Sequence, residues 1–206
     1  MPVEFRWFAG MAVSQKQKSI ASLHEAACKR LSIRNILEIS SKSAEPMGVR
    51  LSAFNLTLQL HLKRVSVEVA FQAGKRFERG GPFLDLLDRT SREAKKDLRL
   101  KESGRLVEFV LSGESWPLEP QTAFYDWIYL QALATDPELT EKLTAYEAFT
   151  DIEFNPEKSI NCQARSAALY VSLHRAGLIK SALSSKAAYL KILGGGASET
   201  GQQGLF

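Results

Sequence analysis

The sequence predicts an α+β fold on three observations: several segments have the β-branched and aromatic content of strands, several others have helical periodicity with recognisable caps, and the two kinds do not alternate regularly. Its 206 residues, 45% apolar and 24% charged, have the composition of one ordinary domain able to bury a full core. VEFRWF at 3–8, NILEIS at 35–40, FNLTLQLHL at 54–62 and RLVEFVL at 105–111 read as strands. A first helix is expected from Ser14 to Leu31, with Ile20, Leu23, Ala27 and Leu31 on one side, and a second over Val67–Phe77. Thr90 and Glu93 form a capping-box pattern ahead of a basic helix, and Pro137 opens another helix running to about Phe149. A long helix is expected to start near Asn161 and to stop at Gly177.

SSKSAEPMG at 40–48 is a loop between two strands, and Gly80-Gly81-Pro82 marks a tight turn ending the Val67 helix. Without a following Lys-Ser/Thr that turn is not a phosphate loop. GGGASETGQQG at 194–204 has the composition of a flexible polar tail.

No apolar run approaches the ~20 residues of a membrane span. The opening MPVEFRWFAG lacks a signal-peptide layout, so a cytoplasmic protein with no membrane association is expected. Cys28 and Cys162 form no CxxC pair and His24, His61 and His174 are isolated, which supports neither a disulfide framework nor a metal site. The net charge of +4 is unevenly spread: RTSREAKKDLRLK at 89–101 places six basic residues against Glu93 and Asp97. Such a segment is either a solvated helix face or a patch that faces phosphates.

Chemistry-bearing residues gather in a few places. On a helix over 67–77, Glu68, Phe71, Gln72 and Lys75 share one face at i, i+3, i+4 and i+7. An acid and an amine in one row with a ring suit a pocket wall, or else a satisfied ion pair. LSAFNL at 51–56 sets Ser52 and Asn55 around Phe54, and FYDWIY at 124–129 sets Asp126 and Trp127 among further rings. FTDIEFNPEKSINCQAR at 149–165 supplies Asp151, Glu153, Asn155, Asn161 and Arg165. Aromatic rings beside carboxylates suit base stacking and sugar recognition, whereas the bland reading of FYDWIY is a core helix whose Asp faces solvent.

LSAFN, then VEVAFQAGKRF, then SREAKKDLR and a later Asn-bearing helix resemble the NADAR superfamily of YbiA-like proteins over roughly residues 36–178. ILEISSKS, FERGGPFLDLL, FYDWIYLQAL and FTDIEFNPEKSINCQARS are similar to the antitoxin branch that accompanies DarT-type toxins. The chain departs from the general pattern where Val69 replaces a common His, where Ala53-Phe54-Asn55 replaces the usual Asn-Phe order, and where FTDIEFNPEKS replaces a Gly- and Trp-rich loop. These departures favour a larger ligand than the small nucleotide of the YbiA-like branch. The resemblance implies a single, mostly helical domain with a small β-sheet over 1–193, followed by the tail at 194–206.

The resemblance also implies an N-glycosidase without cofactor or metal, which removes ADP-ribose from guanine in DNA and opposes a cognate ADP-ribosyltransferase toxin. Its partners would be ADP-ribosylated DNA, single-stranded because a paired base must first leave the stack, and the toxin. Cleavage of a C–N bond at an anomeric carbon needs negative charge or a nucleophile at that carbon and an acid for the departing nitrogen. Under this reading Glu68 orients the ribose or stabilises the cation. Lys42, or second to it Lys75, attacks as an amine. Asp126 or Glu153, and less favourably Asp151, supplies acid–base function. Phe54 and Trp127 stack on bases, Asn161 or Arg165 holds the pyrophosphate, and Ser52, Asn55, Gln72, Asp151 and Asn155 complete the binding set. The alternatives are a YbiA-like N-glycosidase of riboflavin-pathway intermediates and a non-catalytic ADP-ribose reader or sequestering antitoxin.

Overall fold

A computed structural model describes residues 3–155, 157 and 159–199. Helices carry most of its secondary structure, and the strands form three small sheets rather than one. β1 (Ile36–Glu38) pairs in parallel with β7 (Ala148–Thr150). β2 (Thr57–Leu60) and β3 (Lys63–Ser66) form a hairpin, and β4 (Lys75–Phe77), β5 (Leu106–Leu111) and β6 (Glu114–Trp116) form an antiparallel trio.

The core is organised by α6 (Ala123–Ala134), which is apolar nearly all round and therefore buried on every side. It packs against α3 (Val67–Ala73), all of whose residues are buried, and against α8 (Gln163–Arg175). Phe71, Phe109, Phe124 and Trp116 stack where α3, α6 and the three-stranded sheet meet, with Phe109 and Phe124 centroids 4.6 Å apart.

Several boundaries fall where the sequence predicts them. α1 (Val13–Leu31) matches, and so does the capping box of α4 (Ser91–Lys96), where the Thr90 side chain accepts from the Glu93 N–H while Glu93 accepts from the Thr90 N–H. Others differ for identifiable reasons. Residues 3–8 form no strand: their backbone lies along α1, with the Arg6 and Phe8 N–H groups donating to Ser22 Oγ and Ser19 Oγ. α3 stops at Ala73, so Lys75 belongs to β4, and the Gly80-Gly81-Pro82 turn follows that strand rather than the helix.

The basic helix is broken at Asp97, whose backbone is extended and whose carboxylate accepts from the Arg99 N–H ahead of a separate α5 (Arg99–Glu102). α7 (Pro137–Leu143) is shorter than expected because the chain turns into β7, with the Glu147 N–H donating to the Asn35 carbonyl. α8 begins at Gln163 and ends before Gly177, which has φ +71°.

α2 (Pro46–Arg50) follows the SSKS turn and needs a glycine: a Cβ on Gly48 would lie 2.0 Å from the Glu38 carbonyl oxygen. α9 (Ile179–Ala182) leads into α10 (Lys186–Glu199), which runs past the boundary expected at residue 193. The rest of the expected tail, residues 200–206, lies outside the described residues. No helix among the described residues is long and apolar enough to cross a membrane.

Candidate active site

One wall of the site is α3. Ser66 caps the helix by accepting from the Val69 N–H, and the Val67 and Glu68 N–H groups donate to the Leu56 and Ala53 carbonyls, so the LSAFN turn docks on the helix start. Ser52 Oγ donates to the Val49 carbonyl, and Asn55 Nδ2 donates to both that carbonyl and Ser52 Oγ. These two residues thus shape the turn that carries Phe54.

Glu68 is 6% exposed and accepts from Gln72 Nε2 at 2.9 Å. Since a carboxylate only accepts, the amide nitrogen must face Glu68. Gln72 Oε1 is then left buried with no partner among the described residues.

Lys75 leaves the helix but keeps to the same wall, its Nζ lying 4.6 Å from the centre of the Phe71 ring. Burial brings its pKa down to about 8, helped by the charge of Lys95 and opposed by Glu68. Lys95 of α4 lies 3.8 Å from Glu68 Oε1 and 5.1 Å from the centre of the Phe54 ring.

The segment following β7 supplies further polar groups. Buried Glu38 accepts from Thr150 Oγ1 at 2.6 Å and from the Ile152 N–H at 2.8 Å, which fixes the backbone on both sides of Asp151. Asp151 accepts from Gln163 Nε2 at 3.0 Å and from the Glu153 N–H at 3.1 Å, while Gln163 Oε1 accepts from the Ala53 N–H at 2.5 Å. Burial raises the Asp151 pKa, the nearby Glu38 charge adds to the rise, and the Gln163 hydrogen bond opposes it.

Glu153 is exposed and pairs with Lys16 at 3.4 Å, and Lys16 in turn lies over Trp7. Lys42 is half-buried in a turn where its own N–H donates to Ser40 Oγ.

These groups surround one cleft of about 1330 Å³, lined by Lys42, Ser52, Phe54, Asn55, Glu68, Gln72, Lys75, Asp151, Glu153, Asn155 and Asn161. Residues 36 to 163 are thereby drawn together by the β1–β7 pairing, the α3 N-terminus and the start of α8.

Three expected residues do not line it. Asp126 is 3% exposed and accepts from Thr122 Oγ1 at 2.6 Å and Ser166 Oγ at 2.5 Å, which ties α6 to α8. Trp127 packs on Trp116 and Tyr189 and lines a smaller cavity of about 420 Å³. Arg165 is exposed on α8 and is not among the residues that line the cleft. Lys95, Gln163, Tyr125, Arg92 and Lys101, which sequence reasoning did not single out, do line it. Of these only the basic residues left a trace, as part of the 89–101 charge run.

A buried carboxylate, an amine of lowered proton affinity, a carboxyl of raised proton affinity and a basic rim can hold a phosphorylated sugar and exchange protons with it. The α+β fold and this cleft therefore define a small-domain protein with a polar, ligand-sized pocket between an acidic and a basic side. A family model for DarT1-associated NADAR antitoxins matches residues 1–203, and the chain belongs to that family. The resemblance read from the sequence, to the superfamily and to this branch, is borne out. No curated protein matches the chain.

Proposed function

We propose that this antitoxin is an N-glycosidase that removes ADP-ribose from guanine bases in DNA, reversing the action of its DarT-type toxin. The observation that carries the reading is that Glu68, Lys42, Lys75 and Asp151 line a single cleft, in a chain of the DarT1-associated family. At about 1330 Å³ the cleft exceeds the roughly 300–1,000 Å³ of a small-ligand pocket, which leaves room for a nucleotide joined to ADP-ribose.

In the proposed mechanism Glu68 faces the ribose and stabilises positive charge as the C–N bond to guanine breaks. Asp151, whose pKa is raised, is the acid that delivers a proton to the departing exocyclic nitrogen. It replaces Asp126, which lies away from the cleft, and Glu153, which is exposed and paired with Lys16.

The Lys42 amine attacks the anomeric carbon as the bond to guanine breaks, an N–H proton passes to the ring oxygen as the sugar opens to a Schiff base, and water hydrolyses it to free ADP-ribose and regenerate the amine. Packing of Gly48 against Glu38 and Ser43 holds the turn that presents Lys42. Lys75 is the second candidate for the same step, favoured by a pKa of about 8 that leaves part of its population neutral at pH 7. Phe54 stacks on a base and Lys95 contacts the pyrophosphate.

The test is incubation of the protein with a guanine-ADP-ribosylated single-stranded oligonucleotide, following free ADP-ribose and the restored strand by mass. Borohydride added during turnover of wild type, Lys42→Ala and Lys75→Ala identifies the amine by which variant no longer forms an adduct. Tight binding without release makes the protein a reader or a sequestering antitoxin. Neither binding nor release returns the metabolic N-glycosidase to first place.

A further inference from the structure

The α4–α5 segment contributes more positive charge to the cleft than a pyrophosphate uses. Arg92, Lys95 and Lys101 line it, and Lys96 lies on the same short helix as Arg92 and Lys95. Lys95 is engaged with Glu68 and the Phe54 ring, and Arg99 is held by Asp85 and Asp97 in bonds of 2.7–3.1 Å. Arg92, Lys96 and Lys101, by contrast, are exposed and have no carboxylate within ion-pairing distance among the described residues.

Arg92 and Lys96 are one helical turn apart, about 6 Å along the axis. The Asp97 break then starts α5 in a new direction and carries Lys101 back to the cleft. The result is a row of solvated cations on the rim of the cleft, Arg92 and Lys101 lining it and Lys96 on the helix between them in sequence.

We propose that this row binds the phosphodiester backbone of the DNA strand flanking the modified nucleotide, so that the protein reads a strand and not only its ADP-ribosyl group. The inference rests on the glycosidase reading for the identity of the substrate and extends it to the basic rim of the cleft. Exposed Arg and Lys side chains free of carboxylates exchange counterions for phosphates, a sequence-independent interaction that weakens with salt by about 0.7 log units of affinity per log unit of salt for each contact on single strands. Three contacts give a slope of about −2, or roughly a twentyfold loss between 50 and 200 mM salt.

The experiment compares wild type with an Arg92→Ala/Lys96→Ala/Lys101→Ala variant in two assays. The first is anisotropy of an unmodified fluorescent single-stranded oligonucleotide across a salt series, and the second is turnover of ADP-ribosylated oligonucleotide beside ADP-ribosylated guanosine. The expected result is a steep wild-type salt slope that flattens by about 2 in the variant. Turnover of the oligonucleotide should fall at least tenfold at low salt, and turnover of the nucleoside, whose pyrophosphate Lys95 still meets, should fall by a much smaller factor.

An unchanged salt slope, or an equal loss on nucleoside and oligonucleotide, overturns the proposal, the latter because it would assign these cations to the pyrophosphate. Loss of salt-dependent binding in a protein that turns over neither substrate supports the strand path while removing the glycosidase reading.

Discussion

Glu68 and Asp126 are both carboxylates in the first turn of a buried helix, 6% and 3% exposed. Their surroundings differ in completeness. Asp126 receives two short hydroxyl donors, from Thr122 and Ser166, and does not line the Glu68 cleft. Glu68 receives one amide, keeps an ammonium at 3.8 Å, and sits beside a buried Gln72 oxygen that no described residue satisfies. Burial alone therefore does not separate a structural acid from one proposed to be reactive. What separates these two is whether the folded chain already supplies a hydroxyl or amide donor to each carboxylate oxygen.

The largest expected effect comes from Glu68. Glu68→Gln keeps the size of the side chain and removes the charge, so release of ADP-ribose should fall about a thousandfold. The midpoint of thermal unfolding should move by only a few degrees, because no complete network is lost. Turnover retained within tenfold would break the comparison at its first member.

Lys75 sharpens the same contrast through stability. Its folded pKa of about 8 lies below the 10.5 of an unperturbed lysine, so the charged form is disfavoured by folding. The cost is fully present below about pH 8, shrinks as pH rises through 8, and is gone above 10.5. The difference corresponds to about 3 kcal/mol, reduced by the contact with Phe71. Lys75→Met should therefore stabilise the protein at pH 7 and lose most of that advantage by pH 10.5, as read from urea midpoints at the two pH values. If Lys75 works in the site, the stabilised variant will also be the less active one.

Asp126→Ala should do the opposite, costing about 2 kcal/mol at neutral pH by leaving buried hydroxyls short of an acceptor while sparing activity per folded molecule. Burial raises the Asp126 pKa, so its ionised form weakens the fold above that pKa, and the penalty shrinks as pH falls through it and is gone below the unfolded value of 3.8. Wild type gains stability on mild acidification that the variant cannot, and the gap in urea midpoints should widen toward acid pH.

The sequence made much of the frame legible where signals are local. α1, the Thr90–Glu93 box and the Glu68–Gln72 pair each depend on residues within one or two turns of each other. Lys75 departs from the expected helix at Gly74, where the chain turns into β4, although the side chain still reaches Phe71. Residues 3–8 have strand composition yet form no strand, and two serines on α1 accept from the Arg6 and Phe8 N–H groups instead.

The structural role of Asp126 depends on Ser166, forty positions away, and the place of Gln163 in the cleft depends on Ala53 and Asp151. Such contacts leave no periodicity behind. Lys95 was visible only as one of six basic residues, and its closeness to Glu68 follows from how α4 packs on α3.

The smallest effect tests the criterion itself. Gln72 Oε1 is a buried acceptor without a donor among the described residues, which disfavours the fold, while Gln72 Nε2 serves Glu68, which favours it. Gln72→Met removes both atoms at similar length, so the two terms offset and stability should change by less than about 1 kcal/mol. Affinity should not be neutral. A hydroxyl or amino group of the ligand that completes Oε1 forms a hydrogen bond worth about 1.4 kcal/mol, and its loss weakens ADP-ribose binding about tenfold, measurable by calorimetry. If the variant binds ADP-ribose as tightly as wild type, the unsatisfied oxygen is only a tolerated flaw of the fold. Incomplete hydrogen bonding would then no longer distinguish the Glu68 wall from the Asp126 network, and the argument for the cleft would rest on its charges alone.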